Sequence, residues 1–522
     1  MKPLLILLLL ASAASTAVLC RYHLHMFQLN SYKIREELHW IQSNIGSLLG
    51  RVLGLILALP LIAFAGNWGL AIAILLHGLT ILGNLPRQTA KIPLAYTMRI
   101  RRIIATTAVL YLFLLTVCLL ASGSLLWTAL LATLLSIFSV FLVLLANQLN
   151  QPLERGITRR YVEEARTLLR KSPGLKIVGI TGSYGKTSMK YFLHTLLSSS
   201  YQVLMTPGNF NTTLGVVRTI REQLKPTHQI FLCEMGARNE GDIQEICDLV
   251  HPGYGVLTSI GHQHLESFGT LETIIRTKFE LVRSVPQDGM VFLNWDSQWI
   301  AGEPYTHDSS HVVTYGLYHP EAQFQPKDLI TSKSGSSFQL RFPDGSERRL
   351  ETRLIGTHNV LNIIGAVAVA YHLGVGVDEI ARQVRLLKPV PHRLELLETP
   401  RGIIIDDAYN SNPEGAKAAL ETLQSIEGTR FLVTPGMVEL GEQQDQLNYE
   451  FGKQAALAAD YIILVGERQT RPIQQGIRDQ GFEENRLIIA GSLKDAMAKV
   501  DAINTGQNQK VILLENDLPD NY

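Results

Sequence analysis

Apolar residues crowd the first 150 positions of this 522-residue chain, in five stretches at about 3–20, 49–66, 69–86, 104–121 and 125–146. Each approaches the roughly 20 residues with which a helix crosses about 30 Å of hydrocarbon. Gly66-Asn67-Trp68 separates the second stretch from the third, and Ser122-Gly123-Ser124 the fourth from the fifth. Two helical hairpins with minimal loops are therefore predicted. The remaining residues have the mixed composition of an ordinary soluble protein, so the chain divides into a membrane part and an enzyme-sized part.

Basic residues orient the membrane part. Loop 21–51 carries Arg21, Lys33, Arg35 and Arg51; loop 87–102 carries Arg87, Lys91, Arg99, Arg101 and Arg102; Arg155, Arg159 and Arg160 follow the last stretch. Five crossings put all three segments on one side, which predicts a multi-pass protein of the cytoplasmic membrane with its N-terminus outside and the long C-terminal part in the cytoplasm. Met1-Lys2-Pro3 and the apolar run after it also fit a cleavable signal peptide. Cleavage would move the basic loops outside, so an uncleaved anchor is favoured. His77 reads as a bundle-facing polar contact. Residues 151–172 alternate charge with Ile157, Tyr161, Ala165, Leu168 and Leu169, the pattern of an amphipathic linker helix. Overall, 47 basic residues balance 46 acidic ones, which argues against nucleic acid as a partner. Cys20, Cys118, Cys233 and Cys247 show no C-x-x-C spacing, so neither structural zinc nor a disulfide framework is expected.

The soluble part opens on chemistry. An apolar strand pattern, LKIVGI at 175–180, runs into Thr181-Gly182-Ser183-Tyr184-Gly185-Lys186-Thr187 and then a helical stretch. Strand, glycine loop, Lys-Thr and helix together make a phosphate-binding loop in its short G-x-x-G-K-T form. Backbone N–H groups and the helix N-terminus face phosphate oxygens there; Lys186 reaches the outer phosphates and Thr187 offers a hydroxyl to Mg²⁺. Downstream, strand-like runs at 402–409, 429–435, 459–466, 486–491 and 510–516 alternate with helical stretches, as in an open Rossmann-like sheet.

Nine runs occur in one order: ITGSYGKTS (180–188), TPGNFNTTLGV (206–216), EMGARNEGDI (234–243), TSIGHQHLESFGT (258–270), TKFEL (277–281), GTHNVLN (356–362), RLE (393–395), DDAYNSNP (406–413) and MVELGE (437–442). On these residues the chain resembles the Mur ligases of bacterial cell-wall synthesis, most of all those that add D-alanyl-D-alanine to a muramoyl tripeptide. The resemblance implies an α/β enzyme: an N-terminal helical transmembrane bundle (1–150), the linker helix (151–172), a P-loop Mur-ligase central domain (173–390) and a Rossmann-like C-terminal domain (391–522). It implies an ATP-dependent amide ligase that activates a muropeptide carboxylate as an acyl phosphate and joins it to an amine such as D-alanyl-D-alanine, with the acceptor UDP- or lipid-linked.

The resemblance also carries site residues. Glu234 and His264 would bind Mg²⁺ or Mn²⁺ with Thr187, and Lys278 would carry a carbamate that helps hold a second metal. Thr181 to Thr187, Asn294, His358, Asn359, Arg393, Asp407 and Tyr409, with the adjoining Asn410, would face the nucleotide. Asn209, Asn211 and Thr212 would contact substrate. Lys186, Glu234, His264, Lys278 and Arg393 form the catalytic set. Taken alone, Glu234 also fits a helix cap, Lys278 a solvated helix lysine, and Arg393 a surface pair with Glu395.

Three local departures accompany the match: His392 precedes the arginine, Pro435-Gly436 precedes MVELGE, and the chain ends in LLENDLPDNY. The family's UDP-sugar-gripping first domain is replaced by the apolar region. A substrate presented at the membrane surface is therefore expected, with membrane lipid as a partner and loops 21–51 and 87–102 helping to hold it; packing of FQLNSYKIREELHW (27–40) on the soluble domain is the plainer reading. Competing functions are a related ligase for another wall or capsule polymer, a non-catalytic ATP-binding scaffold and a P-loop-driven transporter.

Overall fold

The computed structural model describes residues 1–516 except 86–92, 306, 333, 401 and 410. Arg87, Lys91, Asn410 and the end of the LLENDLPDNY tail thus lie outside the described residues. The chain forms two compact units, Met1–Arg159 and the residues from Arg160 onward.

The first unit is helical: α1 (Lys2–Leu29), α2 (Ile34–Ser43), α3 (Ile45–Phe64), α4 (Gly66–Asn84), α5 (Met98–Ser122), α6 (Leu125–Ile137) and α7 (Ser139–Arg170), whose end enters the second unit. Among the described residues, α1, α3, α4 and α5 are long and apolar enough to cross a membrane. The hairpin turns fall where the glycines predict them: Gly66 and Gly123 adopt φ of 56° and 60°, which a side chain would strain. The fifth apolar stretch differs from expectation. It breaks at Phe138, where α6 and α7 meet at 80°, and the expected linker helix is the continuation of α7. Phe138 sits between Ile137 and Ser139 with neither Gly nor Pro beside it, so only the serines at 136 and 139 interrupt the apolar pattern there.

Basic residues near the ends of the apolar helices find partners within this unit. Arg51 donates to Asn84 Oδ1 at 3.0 Å, Arg99 to Asn147 Oδ1 at 3.2 Å, and Arg102 pairs with Glu154 at 2.6 Å. Segment 27–40 packs on this unit itself: Tyr32 meets Phe27 edge-on, Trp40 meets Tyr22, and Asn30 donates to Glu37 at 2.7 Å. In the apolar middle, His77 is ringed by hydroxyls, with Ser15 Oγ at 2.9 Å from Nδ1 and Thr133 Oγ1 at 3.2 Å from Nε2. Satisfying a polar ring inside a bundle removes the penalty of leaving it bare in hydrocarbon.

The second unit contains two six-stranded sheets. β1 (Lys176–Thr181), β2 (Val203–Met205), β3 (Ile230–Glu234), β4 (Tyr254–Leu257), β5 (Met290–Asn294) and β6 (Val312–Tyr315) are all parallel, in the order β2-β3-β1-β4-β5-β6. Their continuous apolar runs suit strands covered on both faces. A three-stranded antiparallel sheet follows: β7 (Pro326–Ser332), β8 (Gly335–Arg341) and β9 (Glu347–Thr352). The other large sheet comprises β10 (Glu395–Thr399), β11 (Gly402–Asp407), β12 (Thr429–Thr434), β13 (Tyr461–Val465), β14 (Leu487–Ala490) and β15 (Lys510–Glu515), ordered β10-β11-β15-β12-β13-β14 with only β10 antiparallel.

Helix α8 (Lys186–Ser198) follows β1 directly. It buries Met189, Phe192, Leu193, Leu196 and Leu197, a 3–4-residue spacing that seats one face in the core. Each such side chain contributes roughly 1.5–3 kcal/mol on burial. Because β1 lies between β3 and β4, the loop from β1 to α8 opens at the crevice where strand order reverses, the place such sheets bind ligands.

Candidate active site

The glycine loop is tightly cradled. Gly182 has φ of 148° and a Cβ there would collide with Thr258; at Gly185, φ of 81°, a Cβ would stand 2.6 Å from Asn362 Oδ1. Ser183 Oγ donates to Gly261 O at 3.1 Å, and Thr181 Oγ1 to Met235 O at 2.8 Å, which ties the loop to the ends of β3 and β4. Lys186 Nζ donates to the carbonyls of Gly182 and Ser183 at 2.6 and 2.9 Å. Burial and, more weakly, the nearby Arg393 lower its pKa to about 8, against the opposing pull of Glu234. Tyr184 lies beside Glu414 of the second sheet's domain, and burial with that carboxylate pushes its phenol up.

Glu234 ends β3 and is 1% exposed, so it is neither a surface acid nor a helix cap. Its Oε1 accepts from Thr187 Oγ1 and from Asn211 Nδ2, each at 3.2 Å. Lys190 Nζ lies 2.8 Å from Oε2 and donates to Gly208 O at 2.6 Å. Lys190, wholly buried, is absent from the sequence-derived set; standing three residues after Thr187, it shares that residue's helix face, which was the available signal.

Lys278 is 3% exposed, which excludes a solvated helix lysine. Burial, then the charge of Lys186, holds its amine well below the usual lysine range. His264 pairs through Nδ1 with Glu439, whose other oxygen lies 3.1 Å from Arg238; burial lowers the imidazole's pKa despite that partner. Glu439 is a second residue the sequence reasoning left without a role.

From the second sheet's domain, the Arg393 guanidinium lies 4.3 Å over the Tyr409 ring; burial raises the Tyr409 phenol against the lowering pull of Arg393 and Asn209. Glu395 accepts from His392 N at 3.2 Å. Asp407 accepts from Leu394 N at 3.1 Å; burial raises its pKa to about 7, and the neighbouring Glu515 is raised further by burial and by Asp407 itself.

Other expected residues have local duties. Thr212 caps the helix Thr213–Gln223, accepting from Gly215 N at 3.4 Å. Asn294 Nδ2 donates to Thr258 O at 2.5 Å, bracing the strand end under the glycine loop. Asn359 Nδ2 donates to Ile355 O at 2.9 Å. His358 is held near pKa 4, hence neutral, by burial.

The donors suit a hard divalent cation. Carboxylate and hydroxyl oxygens meet at Glu234 and Thr187, and among the described residues no group of three His, Cys, Asp or Glu forms a closed cage. Mg²⁺ characteristically takes one or two protein oxygens and completes its shell with water and phosphate, whereas zinc requires a fuller protein set.

A strand–glycine-loop–helix nucleotide site with an arginine-bearing second sheet beside it defines an ATP-using α/β enzyme class. Residues 180–370 match the family model described as Mur ligase middle domain, and residues 392–515 match Mur ligase, glutamate ligase domain. UDP-N-acetylmuramoyl-tripeptide–D-alanyl-D-alanine ligase of Bacillus subtilis is 33% identical over 55% of this chain and 62% of that protein; the Escherichia coli protein of the same name is 30% identical over 60% and 69%. The chain thus spans somewhat less than two thirds of the first and slightly more of the second. Crystal structures of MurF from Acinetobacter baumannii (TM-score 0.61, 26% identity, 68% of this chain and 76% of that one) and of MurF from Thermotoga maritima in complex with ADP (0.60, 26%, 69% and 80%) share the fold. The chain belongs to the Mur ligase family.

Proposed function

We propose that this protein is a membrane-anchored, ATP-dependent amide ligase that activates the carboxylate of a muramoyl peptide as an acyl phosphate and joins it to D-alanyl-D-alanine. The observation that carries this reading is the meeting of Lys186, Thr187, Asn211, Lys190 and Glu234 at one strand end, with Arg393 near enough to act on Lys186 electrostatically. Relatives bearing the tripeptide–D-alanyl-D-alanine ligase name, and the ADP complex of the Thermotoga protein, support the substrates.

On this reading the backbone N–H groups of 182–187 and Lys186 hold the outer phosphates, and Arg393 donates its planar fork to charge that grows during phosphoryl transfer. Glu234, Thr187 and His264 would hold Mg²⁺, or Mn²⁺ in its place, and a cation there would offset phosphate charge. Lys278, a buried amine, would take up CO₂ with loss of a proton and become an anionic carbamate suited to a second cation. Asn209 and Asn211 orient the acceptor. Asn294, His358, Asn359, Asp407 and Tyr409 shape the nucleotide side, and Thr212 contributes by fixing the substrate loop. On this reading the domains run 1–150, 151–172, 173–390 and 391–522, with α7 crossing the first limit.

The basic residues near the helix ends and the apolar helices support a multi-pass protein with its N-terminus outside, membrane lipid around it and the ligase domains in the cytoplasm. That placement favours a lipid-linked acceptor over a UDP-linked one. Mass spectrometry of products from ATP, D-alanyl-D-alanine and either acceptor tests the reading. A product heavier by one dipeptide less one water, with ADP released, is expected, and formed faster from the lipid-linked acceptor. ATP turnover without that product sinks the assignment.

A further inference from the structure

Among the described residues, Glu439 is the acid that the second sheet's domain places against His264. It lies in the loop after β12, in the left-handed region at φ of 63°. The loop is clamped on both sides: Asn448 accepts from Met437 N and donates to Met437 O, both at 2.9 Å, and Asn516 Nδ2 donates to Gly436 O at 2.7 Å. Glu439 O accepts from Glu266 N at 3.4 Å, and a Cβ on Gly441 would stand 3.4 Å from the Glu266 backbone, so the loop presses closely on the His264 segment. His264 itself is strained, with φ of 53° at the start of the short helix Leu265–Phe268. Between them, the carboxylate joins Nδ1 of His264 on one oxygen and Arg238 on the other.

We propose that Glu439 is a positioning residue that makes His264 a metal ligand when the second sheet's domain is docked. This rests on the metal reading above. With the carboxylate accepting, Nδ1 carries the proton and Nε2 keeps its lone pair. That is the arrangement in which carboxylates orient ligating histidines and fix their tautomer. Because the acid comes from the other domain, cation affinity is tied to domain docking. Arg238 holds the second carboxylate oxygen and so keeps the acid aimed.

The test titrates Mn²⁺ into the full-length protein in detergent with ADP present, reading free Mn²⁺ by electron paramagnetic resonance. ADP affinity is measured separately in EDTA. Glu439→Gln is expected to weaken Mn²⁺ binding about 10–100-fold, the range for losing such an orienting partner, with ADP affinity in EDTA unchanged. Glu439→Asp, shorter but charged, falls between. Arg238→Ala loses less than Glu439→Gln, and adding Glu439→Gln to His264→Asn costs nothing more, since the carboxylate acts through the ring. Wild-type Mn²⁺ affinity in both Glu439 variants overturns the inference, as does an undiminished Glu439→Gln effect in the His264→Asn background. Wild-type affinity in His264→Asn alone instead removes the metal role of the histidine.

Discussion

The apolar middle of the helical bundle and the nucleotide site bury polarity in opposite ways. In the helical unit, the apolar middle holds an imidazole surrounded by Ser12, Ser15 and Thr133, hydroxyls that satisfy it without any formal charge. In the α/β unit, whole charges are buried: Lys190 against Glu234, Lys278 among weaker partners, and the acid pair Asp407 and Glu515. Buried hydroxyls secure helix packing. Buried charges cost several kcal/mol each to desolvate, and such costs are tolerated where charge must be met, at sites of phosphate and metal chemistry. The contrast lies between these two interiors and not between the units as wholes, since α2 of the helical unit buries the acid Glu37.

Four variants break or sharpen that contrast. The largest effect is expected from Lys186→Ala, which should lower turnover about a thousandfold or more, because the cation facing the transferred phosphoryl group is gone; coupled ADP-release kinetics measures it. Lys190→Met leaves Glu234 buried and unpaired, and should cost about 3–5 kcal/mol in denaturant unfolding without ligand. Restoring most of that loss by adding Glu234→Gln would confirm that the charge, and not the packing, is responsible. His77→Leu in the bundle should cost only about 1 kcal/mol in mixed-micelle unfolding, as membrane hydrogen bonds usually do. A loss as large as that of Lys190→Met would erase the contrast.

The smallest effect concerns pH. Asp407 is held at about 7 and Glu515 above its ordinary value, so from about pH 4 upward the native state keeps protons that the unfolded chain releases. Stability from this pair is full below the unfolded carboxylate values and is lost as pH rises through the folded ones, with a slope of at most about 1.4 kcal/mol per pH unit per proton. Glu515→Gln should flatten that fall in thermal unfolding between pH 5 and 8, an interval set by the same shifts. An unchanged slope would show that the pair does not share its protons.

What could be read beforehand follows from how local the signal is. The glycine loop was legible because its glycines, lysine and threonine are contiguous and flanked by a strand and a helix. Lys190 was not, since a helix lysine looks solvated until α8 is known to turn that face toward Glu234. Glu439 belonged to a run that matched the family, but its partners lie 175 and 201 residues away, a separation no local pattern encodes. The sheet β7–β9 went unpredicted although Asp344-Gly345, a hairpin signal, joins two of its strands. The break at Phe138 falls between Ser136 and Ser139, too weak a local signal to stand out from the apolar run around it.

Acyl-phosphate formation is the central chemical claim, and oxygen transfer tests it most directly. An acceptor with ¹⁸O at both oxygens of the reacting carboxylate is turned over with ATP and D-alanyl-D-alanine, and the released phosphate is weighed. The account expects one ¹⁸O in each phosphate, delivered when the carboxylate oxygen stays with phosphorus as the amide forms. Phosphate without label, alongside normal amide product, would contradict it.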